Sequence, residues 1–205
     1  MHYAKAVANV DYRNFNKALE ELKMSMSISK EIKDDVALGQ DLMNISNIYL
    51  MQDDFKNALR FSEKSIDYFE RADISQELKY FIKRQLFVNA GRVAWRQNDI
   101  EKLKKYTVKY ESSAKKTLNS NEITNVHELT GHINLLEENY KDAIYEYKQA
   151  NLENPIILHM MGTAYEELGD YNKAQKIYES VAHFNSLNSM NYAYIRKIAL
   201  AKLDN

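Results

Sequence analysis

The chain has no cysteine among its 205 residues, which excludes a disulfide framework, a thiolate zinc site and a cysteine nucleophile. That absence suits a reducing cytosol. One proline and five glycines are too few for β-sandwiches, barrels or disordered linkers, which depend on such turn residues. An excess of charge of one sign is missing as well. Lys and Arg number 28 against 29 Asp and Glu, for a formal net charge of −1, and no block of like charge is long enough to form a tail. The balance gives no reason to expect a nucleic acid. No apolar run approaches the length needed to span a bilayer. The opening Met1-His2-Tyr3-Ala4-Lys5-Ala6-Val7 has neither the apolar segment nor the cleavage site of a signal peptide. The chain reads as cytoplasmic as given, with the periplasm open to it if it is a piece of an exported protein.

Good helix formers are plentiful: Leu, Lys, Glu, Gln, Ala and Met all favour the helical state. One turn signal recurs through the chain. An Asn or Asp precedes a large apolar residue, and a small or apolar residue follows three positions later. The instances are Asn14-Phe15…Ala18, Asp54-Phe55…Ala58, Asp99-Ile100…Leu103, Asn139-Tyr140…Ala143 and Asp170-Tyr171…Ala174. Their spacings are 40, 45, 40 and 31 residues. Each Asn or Asp can accept the free N–H groups that open a helix, and Gly169 before the last one permits a left-handed C-cap. Twelve residues before the final position of each instance stands a small residue: Ala6, Ser46, Gly91, Gly131 and Gly162. Three of the five glycines thus share one repeat position in helix interiors, where Gly costs about 1 kcal/mol against Ala. Close helix–helix approach is the reason such a cost is tolerated. Tyr49 and Tyr165 occupy a second shared position, nine residues before Ala58 and Ala174.

The stretch from Met161 to Tyr178, with Gly162 and Tyr165 on one helix and Ala174 on the next, resembles the tetratricopeptide repeat (TPR). Pro155 stands where a TPR often carries one, at the start of a repeat. The resemblance covers essentially the whole chain. It implies an all-α fold: a right-handed α-α superhelix, or TPR solenoid, of about five helix pairs plus a C-terminal capping helix. The repeats fall at about 1–32, 36–72, 75–118, 122–152 and 155–184, with the cap at 188–203, all in one domain. The long early repeats resemble those of bacterial regulators and sensor proteins. The run from Asn151 through Tyr192 is similar to the C-terminal end of TPR proteins from Bacteroidetes-type bacteria.

The coarse reading places helices near 2–12, 15–32, 36–52, 55–71, 75–97, 100–118, 122–137, 140–151, 155–168, 171–183 and 188–203. In the second of these Ala18, Leu19, Leu22, Met26 and Ile28 are expected to face inward, and Ser29 to Asp35 to close it as a polar stretch. In the last, Tyr192, Ile195 and Ala199 make one face, with Arg196, Lys197 and Lys202 off it, as suits a terminal cap with a polar outer surface. The first repeat is poorer in packing side chains, having only Tyr3, Ala6 and Val10. A lost preceding repeat or a chain that is a fragment would explain it, and self-association through this end is a further expectation.

Chemistry is thinly represented. His127-Glu128-Leu129-Thr130-Gly131-His132 comes near the zinc-protease pattern H-E-x-x-H. Its histidines, however, are five apart rather than four, so they do not share the face that a metal needs. They read as groove or packing residues, with a Glu128–His132 contact at i, i+4 and His159 a candidate to approach His132 from the next repeat. No catalytic residue, metal site or cofactor is read from the chain, and an enzyme is not expected. The six lysines 102, 104, 105, 109, 115 and 116 make a solvated convex face, because no aromatic platform accompanies them. Most tyrosines, including Tyr49, Tyr140, Tyr147, Tyr165, Tyr171 and Tyr178, are expected to be core.

TPR proteins bind peptides or proteins in a concave groove lined by first helices, so the resemblance implies a protein or peptide partner. Its groove positions fall here on Asn44, Asn47 and Met51; Asn89, Arg92 and Arg96; Leu129, His132 and Leu136; and Met160, Thr163 and Glu167. Asn44 and Asn89, at equivalent positions, could hold an extended peptide backbone, and Arg92 and Arg96 a carboxylate. The family's carboxylate clamp needs Lys and Asn where this chain has Met43 and Val88, so that clamp is not expected. The function implied is a non-catalytic binding scaffold. The alternative is a sensory or regulatory domain that takes a small signal or peptide.

Overall fold

A computed structural model describes residues 1–115, 120–186 and 189–204. Among them there is no strand. Eleven helices are described: α1 (His2–Asp11), α2 (Phe15–Glu31), α3 (Asp35–Met51), α4 (Phe55–Arg71), α5 (Gln76–Arg96), α6 (Ile100–Ala114), α7 (Ser120–Leu136), α8 (Tyr140–Tyr147), α9 (Pro155–Glu167), α10 (Tyr171–Ala182) and α11 (Met190–Leu203). The fold is all-α, as expected. Two compact units divide the chain, Met1–Val93 and Ala94–Asn205. In the first, α1 packs on α2, α2 on α3 and α3 on α4; in the second, each helix from α6 to α11 packs on its successor, and α11 also packs on α9.

One corner geometry is repeated six times. The residues before Asn14, Asp34, Asp54, Asp99, Asn139 and Asp170 all have positive φ: Arg13, Lys33, Asp53, Asn98, Glu138 and Gly169. Each following N–H bonds a carbonyl five residues back, as in Asn14 to Asn9, Asp34 to Ser29 and Asp170 to Tyr165. This is the Schellman arrangement, and its last residue doubles as the N-cap of the next helix. Five of the six corners hold a side chain in the left-handed region, at roughly 1 kcal/mol each. The corner at Lys33-Asp34 replaces the polar stretch expected between Ser29 and Asp35: α2 continues to Glu31 and turns at once. Asp34, Asp54, Asp99 and Asp170 accept an N–H with their carboxylates, whereas Asn14 and Asn139 cap by position alone.

The small positions do what close approach requires. A Cβ built on Gly131 would lie 2.5 Å from the ring of Tyr147, and one on Gly162 would lie 2.7 Å from the ring of Tyr178. Each tyrosine therefore lies directly on bare backbone of the preceding helix. Ser46 instead donates its hydroxyl to Ala58 O at 2.7 Å, and the ring contact in that pair falls at Gly39 under Phe69.

Several expectations need correction. Ile28 is 49% exposed and Ser29 takes the buried place, its hydroxyl bonded to Ser25 O. Tyr171 is exposed at the corner rather than core. Helix α8 stops at Tyr147, four residues early, and the chain turns through Asn151, which accepts the Glu153 N–H, before Pro155 opens the next helix. The face formed by Tyr192, Ile195 and Ala199 is buried as expected, but Met190, Ala193 and Tyr194 are buried too, which leaves the half-buried Asn191 and Arg196 as the polar residues of its first half. Lys116, the end of the helix expected at 100–118 and the start of the one expected at 188 lie outside the described residues.

Replacing Gly131 with Ala is expected to lower stability by about 1–2 kcal/mol, since the overpacking cost outweighs the gain in helix propensity. Gly169→Ala, with nothing near the added methyl, is expected to lose about 1 kcal/mol from its φ of 83° alone. Urea denaturation midpoints of the two variants measure both losses.

Candidate functional site

The tyrosines that lie on Gly131 and Gly162 deliver their hydroxyls past the glycine to the polar side chains of the first helices. Tyr147 Oη lies 2.7 Å from His132 Nδ1. Tyr178 Oη donates to Glu166 Oε2 at 2.6 Å, with Thr163 Oγ1 at 3.5 Å. Each tyrosine follows its glycine by sixteen residues, so one repeat position supplies both hydroxyls. Burial holds the Tyr147 hydroxyl well above its ordinary pKa, with the Glu128 charge adding to the effect. Burial does the same for Tyr178, helped by its bond to Glu166. Both phenols are therefore protonated at neutral pH.

His132 is 1% exposed. Trp95 stacks on it at 4.0 Å with the rings nearly parallel, and Tyr147 meets it edge-on. Glu128 Oε1 lies 3.7 Å from its Nε2, so the expected i, i+4 contact is present. His127 turns elsewhere, to Glu146 at 2.7 Å, which separates the two histidines of the near-protease pattern. His159 is buried against Tyr178 at 5.1 Å, and its Nδ1 has no partner. No group of three or more His, Asp or Glu able to hold a metal occurs among the described residues.

On α9 the polar row continues. Thr163 donates to His159 O. Glu166 receives Lys202 of α11 at 2.8 and 3.0 Å, and the ammonium also lies over the Tyr178 ring. Partial burial of Glu166 raises its pKa, but the bonds from Lys202 and Tyr178 outweigh that and leave it lowered. Arg96, at the end of α5, donates to Tyr194 Oη of α11 at 3.3 Å.

The residues expected in the groove are thus placed unequally. His132, Thr163 and Arg96 of the second unit enter three separate polar sets: His132 with Tyr147 and Glu128, Thr163 with Tyr178, Glu166 and Lys202, and Arg96 with Tyr194. Glu167, one residue on from Glu166, is exposed. In the first unit Asn44 is buried and accepts from Gln40, while Asn89 donates to Ser62 Oγ at 2.9 Å. Asn47 and Arg92 are half-buried. Leu129, expected in the groove, is fully buried with Ala94 and Leu103. The shared Gly-to-Tyr spacing was a signal for the two hydroxyls; nothing local marked Tyr194 or Lys202 as their neighbours.

The lysines of α6 are exposed as expected. Lys102 pairs with Asp99, Lys104 with Glu137 and Lys115 with Glu111. No described helix is long and apolar enough to cross a membrane.

No family model and no curated protein sequence matches the chain. Among solved structures it is similar to the apo form of RapI, at 13% identity with a TM-score of 0.54, over 100% of this chain and 58% of RapI. It is also similar to BtubC from P. vanneervenii, at 11% identity with a TM-score of 0.49, over 93% of this chain and 87% of that one. The chain therefore spans little more than half of RapI. The likeness to RapI shows a helical-repeat fold of the α-α superhelix class.

The neutral state of His159 gives a pH signature. Burial, reinforced by the Lys202 charge, lowers its pKa from 6.5 to about 4. The folded state disfavours the imidazolium, so this contribution is present above pH 6.5 and is lost as pH falls toward 4. The loss is about 2 kcal/mol by pH 5 and about 3 kcal/mol in full. Relative to a His159→Gln variant, the wild type should lose stability by that margin between pH 7.5 and 4.5 in denaturant titrations. Parallel curves would remove His159 from the account.

Proposed function

We propose that the chain is a non-catalytic helical-repeat scaffold, of TPR type, that binds a protein or peptide segment along its first helices. The observation that carries this reading is the fixed polar pair on α9: Thr163 and Glu166, both half-buried and both held by Tyr178. Side chains fixed before binding lose little freedom when a ligand docks, and that lowers the cost of association. The repeat spacing and the small-residue positions support the TPR assignment, and the near balance of charge supports a protein rather than a nucleic acid partner.

Capture from the lysate of the source organism tests the reading. A Glu167→Ala variant changes an exposed side chain expected on the groove of the second unit and leaves the packed tyrosines alone. It is expected to weaken capture of any partner that the wild type retains. A Lys105→Ala, Lys109→Ala variant on α6 is expected to keep it. The reverse pattern would move the interface to the second helices.

Self-association through the first repeat also has a specific observation behind it. Met24, Ile28 and Ile32 make an exposed apolar stripe along one flank of α2, of a kind that marks contact sites when contiguous. A second copy is the occupant proposed. Concentration-dependent mass in sedimentation, abolished by Ile28→Lys, is the expected result. A monomer at every concentration would dismiss the idea.

A further inference from the structure

Among the described residues, two buried side-chain atoms lack a hydrogen-bond partner: Asp41 Oδ2 and His159 Nδ1. Such orphans are few in folded proteins, and each calls for an explanation. Asp41 lies on α3 in the first unit and His159 on α9 in the second. Both are almost fully enclosed, at 6% and 4% exposure. Their chemistry is opposite. A buried carboxylate sheds its charge by taking up a proton, and a buried imidazolium sheds its charge by releasing one.

The surroundings of each leave that opposition intact. Ser25 of α2 hydrogen-bonds the Asp41 carboxylate, and the charge of His2 on α1 also favours its ionised form. His2 is itself bonded to Glu21 of α2 at 2.6 Å. Burial outweighs both influences and leaves the Asp41 pKa raised from 3.8. Its contribution to stability is therefore full below pH 3.8 and is lost as pH rises through the raised value. His159 sits against the Tyr178 ring of α10. Lys202 of α11 opposes its charge and Glu166 of α9 favours it. Burial decides here too, so the His159 contribution is present above pH 6.5 and is lost toward pH 4. Neither α4, packed on α3, nor α8, packed on α9, adds a described charge that acts on these two groups.

We propose that the two side chains form a pH-sensitive device of opposite sign: acidification strengthens the first unit through Asp41 and loosens the second through His159. Thr163 and Glu166 follow His159 on α9 by four and seven residues, so loosening of that helix reaches the proposed binding face. Release of a partner in acid is the consequence. That consequence rests on the reading of α9 as the binding face, whereas the opposed responses of the two units do not.

Amide hydrogen exchange of the full chain at pH 7.5 and 4.5, expressed as protection factors so that the chemical exchange rate cancels, reads α3 and α9 separately. Between the two pH values the wild type is expected to lose on the order of fiftyfold more protection in α9 than His159→Gln loses. In α3, Asp41→Asn removes the charge and keeps the shape. It is expected to be about fivefold better protected than the wild type at pH 7.5, and the gap is expected to narrow at pH 4.5. Equal losses in α9 from the wild type and His159→Gln would overturn the inference. So would an Asp41→Asn variant no better protected at pH 7.5, or a gap in α3 that fails to narrow in acid. Partner capture unaffected by Glu167→Ala would remove the binding face and leave both exchange results standing, so the two readings fail separately.

Discussion

The second unit depends on a tyrosine ring lying against the backbone of a glycine. Where Tyr147 meets Gly131 and Tyr178 meets Gly162, no Cβ intervenes, and the helices of each pair come close enough for the ring to pass between them. The same contact sets the chemistry of the far side. A ring so confined has little freedom in where it puts its hydroxyl, and the hydroxyl then holds His132 or Glu166. Packing and polar order are therefore one feature. A side chain on the glycine would displace both the neighbouring helix and the hydrogen-bonded row.

The corners carry the second constraint. Six turns of the same hydrogen-bond pattern leave no slack between helices, and only Gly169 meets the left-handed requirement without strain. The other five place Arg13, Lys33, Asp53, Asn98 and Glu138 there; the last four are exposed, and Arg13 is half-buried over the Phe15 ring. The carboxylates of Asp34, Asp54, Asp99 and Asp170 offset part of that cost by capping the next helix, at about 1 kcal/mol each. Asp170 also holds Lys173 at 2.6 Å, although an exposed pair of this kind adds little.

Much of the fold was legible because repeats report the same physics several times. Asn14, Asp54, Asp99, Asn139 and Asp170 mark five of the six corners, and the glycines mark the close approaches. The corner at Lys33-Asp34 escaped notice because neither a glycine nor a large apolar residue flags it. Ile28 was misplaced because helical spacing from Leu22 and Met26 leads to position 29, where the buried residue is Ser29, and a serine there does not announce its burial. The site was less legible. Groove positions inferred from a repeat pattern assume that side chains point freely from the first helix, whereas Asn44 is buried and Asn89 turns to Ser62. Tyr194 and Arg96 are 98 residues apart, and no local spacing announces a contact at that distance.

The central claim is that the first-helix side of this scaffold is where a partner binds. Site-specific photocrosslinking in the source cells tests it directly, with a benzophenone amino acid placed at Glu167 in one version of the full chain and at Lys105 of α6 in another. The account predicts a discrete protein adduct from position 167 and none from position 105. Adducts from position 105 alone would contradict it.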